Sequence, residues 1–398
     1  MSLLESRPLH RSHRARSEAR GKRVAAAAGG VDWILVALTA ALCVAGALSV
    51  YAATRNGLAA HGRNPHAYLD RDLINAAVGV AMALPLAFID YRSLRAFAPL
   101  LYLGSTLALL LVLSPAGSRI NGAHAWFTFG PVQLEPSEFA KLAIILLGAG
   151  LLGEPRDTPD GQPRTRDVLL TLAAAALPLL LVLAEPALGI AIVMAVITLA
   201  LLVVGNAPAR WVGGLLSVAA VGVALVLQLH LLKPYQEQRF TAFTHPRADT
   251  SATGYHTAQS EIAIGSGGLL GQGFLDGTQT NGGFIPEQQT DFIFTVTAEE
   301  TGLIGGGILL ALLGALFLRG YRIAERAPDR FGQMIATAVV SWLAFQAFVN
   351  VGMTLGIMPV TGLPLPFVSY GGSAMFADLL GIGLLLSIRR VTVQERGR

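Results

Sequence analysis

The chain has a single cysteine, Cys43, among 398 residues, and only 14% of its residues are charged. One cysteine cannot close an internal disulfide, and no cluster of Cys and His at ligand spacing suggests structural zinc. A soluble domain carries roughly 25% charged residues, so the scarcity of charge argues against one. Internal repeats are absent, and so is a Walker ending on the glycine-rich stretch discussed below. What the chain has in quantity is apolar: 53% hydrophobic residues and a mean hydropathy of +0.56.

The first residues are basic, with Arg7, Arg11, Arg14, Arg16, Arg20, Lys22 and Arg23. They lack an apolar core and a cleavage site, which excludes a removable leader. Residues 1–31 read as a disordered cytoplasmic tail, and the apolar run that follows reads as an uncleaved anchor. That run also argues against a nucleic-acid-binding tail.

A bilayer core of about 30 Å needs about 20 apolar residues per helix. Such runs start near Trp33, Ile74, Ala98, Ser137, Val168, Leu188, Trp211, Phe292, Phe331 and Ser373. The expected fold is an all-α polytopic membrane protein of about ten transmembrane helices over residues 32–392, with a short tail at 393–398. With the N-terminus inside, twenty-one of the twenty-nine Lys and Arg residues fall in inner segments and seven in outer ones. The positive-inside rule then puts both termini in the cytoplasm. One connection is long, residues 232–291 between the seventh and eighth spans, and it lies outside. It contains short amphipathic stretches such as Ala258 to Ile264. A loop of that length in a compact bundle is functional or disordered.

Ionisable groups in or beside spans are costly and are site candidates by default. In Glu135-Pro-Ser-Glu-Phe-Ala-Lys141, the three-residue spacing puts Glu138 and Lys141 on one helix face. The pair reads either as a structural ion pair or as a cation that meets a diphosphate, oriented by its carboxylate. Asp291 stands where the long loop enters an apolar helix. It reads as an N-cap or as a general base brought toward its working range by desolvation, and the two roles are compatible. Glu299 and Glu300, deeper in, suit structural hydrogen bonding. Gln259-Ser-Glu-Ile-Ala-Ile-Gly-Ser-Gly-Gly268, with Gly271 and Gly273, is like a phosphate-cradling loop. Without Lys-Ser/Thr and outside the cytoplasm, it reads instead as tight turns and close backbone packing. Arg239 in the same loop suits a phosphate or a nearby acid. Trp126 is either an interfacial aromatic or a platform for a sugar face.

Three patches together resemble the SEDS family of shape, elongation, division and sporulation proteins, which includes RodA and FtsW. They are Gly122-Ala-His-Ala-Trp126 with Pro136-Ser-Glu-Phe-Ala-Lys141, the stretch from Gln259 to Glu300, and Pro364-Leu-Pro-Phe-Val-Ser-Tyr-Gly-Gly-Ser373. The segment Gly356-Ile-Met-Pro-Val-Thr-Gly-Leu-Pro-Leu-Pro-Phe367 is more similar to the RodA branch. The resemblance implies a peptidoglycan glycosyltransferase of the bacterial cytoplasmic membrane, acting in cell-wall elongation. Lipid II is the implied substrate and undecaprenyl diphosphate the leaving group. A class B penicillin-binding protein of the elongation complex is the implied partner. By the family motif, Asp291 matches the essential acid, and Trp126, Glu138 and Lys141 line the same outer cavity. Gln259, Ser260, Glu287 and Arg239 join them as substrate-binding candidates. Two positions depart from the pattern: Ala125 stands where a basic residue is frequent, and Glu185-Pro-Ala-Leu-Gly189 replaces Gln-Pro-Asp-Leu-Gly, so Ala187 lacks the acid.

The expected reaction is attack of an acceptor sugar hydroxyl on the anomeric carbon of a lipid-linked donor. Asp291 acts as base or shares a weakly held Mg²⁺ or Mn²⁺ with Glu138, Lys141 and Arg239 steady the phosphates, and no organic cofactor is expected. The competing readings are a lipid II flippase, which needs polar groups along the full membrane depth, and a non-catalytic scaffold.

Overall fold

The computed structural model describes residues 30–120, 123–130, 132–153, 161–228 and 252–396. Ten long helices lie among these residues. They are α1 (Trp33–Ala60), α2 (Ala67–Phe88), α3 (Leu94–Val112), α4 (Pro136–Leu152), α5 (Thr165–Ala184), α6 (Leu188–Val204), α7 (Ala209–Gln228), α10 (Ile293–Glu325), α11 (Arg330–Thr354) and α12 (Gly372–Arg396). Each contains or adjoins one of the ten apolar starts read from the sequence. Seven of the apolar segments are long and apolar enough to cross a membrane, and α6 is a shorter apolar helix. The chain is an integral membrane protein built of helices.

The helices pack as a bundle around α4, α11 and α12, whose residues are buried along much of their length. α2 lies along α12, α6 along α11, and α10 between α1 and α11. Leu, Ile and Val on α2 and α3 face outward instead, for example Ile74, Leu100 and Leu103. In water such surface would be a liability, whereas lipid solvates it. The start of α1 and the C-terminal part of α12 meet at one end of the bundle. Asp32 caps the Leu35 N–H and pairs with Arg319 at 2.8 Å, with Arg389 at 3.6 Å.

At the other end, two features add to the helical plan. Between α3 and α4 the chain forms a small antiparallel sheet, β1 (Ser118–Ile120), β2 (Ala123–Phe129) and β3 (Val132–Leu134), in the order β1-β2-β3. Apolar periodicity at membrane scale gives no signal for three short strands. Trp126 pairs with Ser118 and Phe127 with Leu134.

The second feature is the described part of the long connection. It forms α8 (Ala252–Ser266), which holds the Ala258–Ile264 stretch, and α9 (Thr278–Gly282). The glycine-rich turn after α8 repairs a break in α10. Gly302 sits at φ 67° and ψ −166°, outside helical geometry. A break at membrane depth frees backbone groups that lipid cannot satisfy. Here Gln272 and Gly273 donate to the carbonyls of Glu299 and Glu300 at 3.0 and 3.1 Å, while Leu303 and Ile304 donate to those of Gly268 and Leu269 at 2.9 and 3.2 Å. Gly267 and Gly271 pack closely on the Ala298–Glu300 backbone, and Gly268, Gly271 and Gly273 take positive φ, which matches the reading of tight turns and close backbone packing. Glu299 is structural as well: its carboxylate caps α9, accepting from the N–H groups of Gln279 and Thr280 at 2.7 and 2.9 Å.

Candidate active site

Glu135 is the N-cap residue of α4 and Pro136 opens the helix, which places Glu138 in the first turn. One turn on, the Lys141 ammonium lies 2.8 Å from Glu138 Oε2. Lys141 is fully buried and Glu138 is 2% exposed. An unpaired charge in such surroundings is costly, and the adjacent carboxylate offsets it. α11 supplies the rest of the setting. The Trp342 ring centroid lies 4.2 Å from Lys141 Nζ, and Gln346 Oε1 accepts from Lys141 at 3.3 Å and from Trp342 Nε1 at 2.8 Å. The Gln346 amide then donates to the Pro364 carbonyl at 2.9 Å, tying the pair to the segment that leads into α12.

That segment also meets Asp291. Asn350, one turn beyond Gln346, donates to the carbonyls of Asp291 and Leu363 at 2.9 and 2.7 Å. Gly362 stands beside Asp291, where a Cβ would meet Asp291 Oδ2 at an ordinary contact distance of 3.5 Å, and its φ of +73° is what calls for glycine. Tyr370 N–H donates to the Gln289 carbonyl at 2.8 Å. Asp291 is half-buried. The cap position of α10 falls to Phe292, which makes no side-chain cap bond. The cap reading of Asp291 is therefore not what the helix start shows.

The other sequence candidates are spread over this end of the bundle. Trp126 is half-buried in β2, directly after the buried Ala125. Ser260 is fully buried, its hydroxyl 2.8 Å from Thr295 Oγ1 and donating to the Thr354 carbonyl at 2.8 Å, which joins α8 to α10 and α11. Gln259 is half-buried beside it, and Glu287 is exposed at φ 54°. Arg239 lies outside the described residues.

Sequence reading did not single out Trp342, Gln346 and Asn350. They recur every fourth residue in an otherwise apolar helix, and polar groups at that spacing share one helix face. That periodicity was the available signal. Two more acids, Glu135 and the buried Asp378 of α12, lie within electrostatic range of the pair, and Glu185 lies within range of Glu135. The Ser373 hydroxyl accepts from the Glu135 N–H at 2.9 Å, and Glu135 Oε1 accepts from Ser137 at 2.8 Å. Glu185, at the turn between α5 and α6, is fully buried. Burial pushes its carboxyl up to about 8. Burial and then the Glu138 charge push Glu135 in the same direction.

A model of FtsW/RodA/SpoVE proteins, described as cell cycle proteins, matches residues 32–394. The chain belongs to this family. The FtsW/RodA/SpoVE chain is 38% identical over 361 residues to the peptidoglycan glycosyltransferase MrdB of Escherichia coli K12, covering 90% of this chain and 93% of that one. Its fold matches a chain of a peptidoglycan synthase complex that coordinates polymerization and crosslinking, with TM-score 0.73, 33% identity and coverage of 92% and 99%. It also matches the crystal structure of the rod shape determining protein RodA of Thermus thermophilus, with TM-score 0.66, 32% identity and coverage of 90% and 97%.

For a metal, the family chain offers little of its own. Among the described residues no three His, Cys, Asp or Glu side chains stand together as a metal centre requires. Glu138 is already neutralised by Lys141. Mg²⁺ is commonly held by one or two carboxylates together with substrate phosphates, and the half-buried Asp291 fits that mode.

Proposed function

We propose that the chain is a peptidoglycan glycosyltransferase that polymerises lipid II during cell-wall elongation, at the outer face of the bacterial cytoplasmic membrane. The observation that carries this reading is the joining of Asp291 and Lys141 into one site by Gln346 and Asn350 of α11 through the Leu363–Pro364 backbone. In this reading Asp291 provides a carboxylate to take the hydroxyl proton, and the buried Glu138–Lys141 pair stands behind the departing diphosphate as a fixed ion pair whose cationic end faces it.

In this mechanism the acceptor hydroxyl oxygen forms a bond to the donor's anomeric carbon as the bond to the diphosphate oxygen breaks. The hydroxyl proton passes to Asp291. The polyprenyl diphosphate leaves as an anion, steadied by Lys141 and by Arg239 from the long loop. Trp126, Glu287 and Gln259 are assigned to the sugar-facing wall. In the alternative role, Asp291 would hold a Mg²⁺ or Mn²⁺ ion instead of taking the proton, and the ion would supply Lewis-acid neutralisation of the diphosphate. The partner is assigned as a class B penicillin-binding protein.

The test is glycan synthesis from purified lipid II by the wild type and Asp291→Asn, each with its partner. Wild-type polymer and none from Asp291→Asn is expected. An Asp291→Asn protein that still elongates glycan would remove Asp291 from the role of base. A flippase is less well supported, because the candidate site residues gather at one end of the bundle rather than along its depth. Lipid movement in liposomes without chain growth would reverse that ranking.

A further inference from the structure

At the end of the bundle away from Asp291, one carboxylate meets more cations than it can neutralise. Asp32, the N-cap of α1, is 4% exposed. The Arg319 guanidinium of α10 grips it edge-on, with Nε 3.0 and 2.9 Å from its two oxygens and Nη2 2.8 Å from Oδ2. Arg389 of α12 brings its Nε to 3.6 Å from the same Oδ2, while Oδ1 also accepts from the Leu35 N–H. The next residue, Arg390, packs in the same corner: a Cβ placed on Gly30 would lie 2.9 Å from Arg390 Cγ. Arg390 Nε is buried and has no hydrogen-bond partner among the described residues, a costly state for a donor. Two other acids of this end are engaged elsewhere, since Asp329 and Glu395 both pair with Arg92. The helix dipole does not account for the three arginines. It acts within the last turn, where the basic residue is Arg322 in α10 and Arg396 in α12.

We propose that this corner, where α1, α10 and α12 meet around Asp32, binds the phosphate of an anionic phospholipid headgroup in the cytoplasmic leaflet. Guanidinium forks match phosphate oxygens in shape and charge. A phosphate here accepts from Arg390 Nε and from Arg389, and supplies the negative charge that Asp32 alone does not. The sides of Arg319 and Arg389 that Asp32 leaves uncovered, 20% and 24% of their side-chain surface, keep the corner open to a ligand. The depth favours a lipid over a soluble phosphate. Trp33, next to Asp32, is 66% exposed and Tyr321, two residues from Arg319, is 50% exposed, and such aromatics sit at the headgroup level of a bilayer. Basic pockets between helices on the cytoplasmic side take anionic headgroups. Once filled, the corner ties three helix segments together. The inference rests on the membrane topology and not on the chemistry assigned to Asp291.

The experiment titrates full-length protein in dodecyl maltoside with dioleoyl phosphatidylglycerol, with dioleoyl phosphatidylcholine and with sodium phosphate. The readout is the rise in unfolding midpoint over each protein's own lipid-free value, which grows with ligand bound to the folded state. Phosphatidylglycerol should raise the wild-type midpoint to a plateau, and the other two should leave it in place. Arg389→Gln and Arg390→Gln should each raise the half-saturating phosphatidylglycerol concentration about fivefold, the scale of one basic side chain at an anionic surface. Arg390→Lys keeps the charge but lacks Nε–H, and should also bind more weakly; it decides the matter if the glutamine variants do not fold. Arg166→Gln, which removes an exposed arginine of α5, should bind as wild type does. Equal shifts with both lipids, no shift with either, or corner variants that bind like wild type overturn the inference. So does an Arg166→Gln loss as large as theirs, which would mean a diffuse basic surface. A full shift from sodium phosphate alone overturns the lipid assignment in favour of a soluble phosphate. Glycan synthesis is not read, so none of these outcomes bears on the glycosyltransferase reading.

Discussion

Asn350 holds Asp291 by its backbone. The Asn350 amide nitrogen bridges the carbonyl of Asp291 at 2.9 Å and that of Leu363 at 2.7 Å, so one buried side chain sets the distance between the start of α10 and the segment before α12.

Replacing Asn350 with Leu should therefore weaken the enzyme without touching a group assigned to substrate. Two buried carbonyls would lose their donor, at about 1–3 kcal/mol for each group left unsatisfied. We expect a fall in the unfolding midpoint and at least a tenfold fall in polymerisation rate, measured on the same purified sample. An unchanged rate would show that Asp291 is positioned by something else.

Lys141 and Glu138 should behave as a unit. Removing one partner of a buried ion pair leaves an uncompensated charge and costs about 3–5 kcal/mol, while replacing both is far milder. Lys141→Met should therefore destabilise the protein more than Lys141→Met with Glu138→Gln, and both should be inactive. A double-mutant cycle on chemical denaturation checks the first part, and independent, additive effects would refute it.

Gly302→Ala should loosen the site end of α10. The residue has positive φ, and an added Cβ would run into the backbone of Gly271 and Leu269. Strain of this kind costs on the order of 1–3 kcal/mol. Hydrogen exchange should increase over 267–273 and 299–304 in the variant, and leave α11 largely unaffected.

At the opposite end, Asp329 should contribute stability that fails in acid. Burial raises its carboxyl, but the Tyr91 hydroxyl at 2.6 Å, the Gly332 N–H at 2.8 Å and Arg92 at 2.7 Å together hold it below the usual carboxylate range. A carboxyl depressed on folding stabilises the protein above its unfolded value, here about 3.8. That stability is lost as pH falls through the lower folded value. Asp329→Ala should cost about 1 kcal/mol near neutral pH, the typical value of a helix cap. The gap from wild type should close as the pH is lowered below 4, as read from unfolding midpoints across pH.

Chelation offers a last check. EDTA should abolish polymerisation and added Mg²⁺ or Mn²⁺ restore it, while the unfolding midpoint without lipid II stays fixed, since the ion is proposed to arrive with the diphosphate. A midpoint that falls on chelation would point to a resident metal instead.

The amino-acid sequence by itself determined that this is a helical membrane protein, where its apolar helices begin, and that Glu138, Lys141 and Asp291 are its costly charges. Those features are local: apolar run length, three-residue spacing, and a charge beside a span are legible without neighbours. Tertiary structure alone decided that Gln346 and Asn350 link Lys141 to the backbone of Asp291, that the glycine turn mends the break at Gly302, and that Glu185 finds no hydrogen-bond partner among the described residues. Each of these depends on which backbone carbonyl or side chain, dozens to more than two hundred residues away, comes within hydrogen-bonding distance. A buried polar atom's cost or worth is set by that meeting, and spacing along the chain does not encode it.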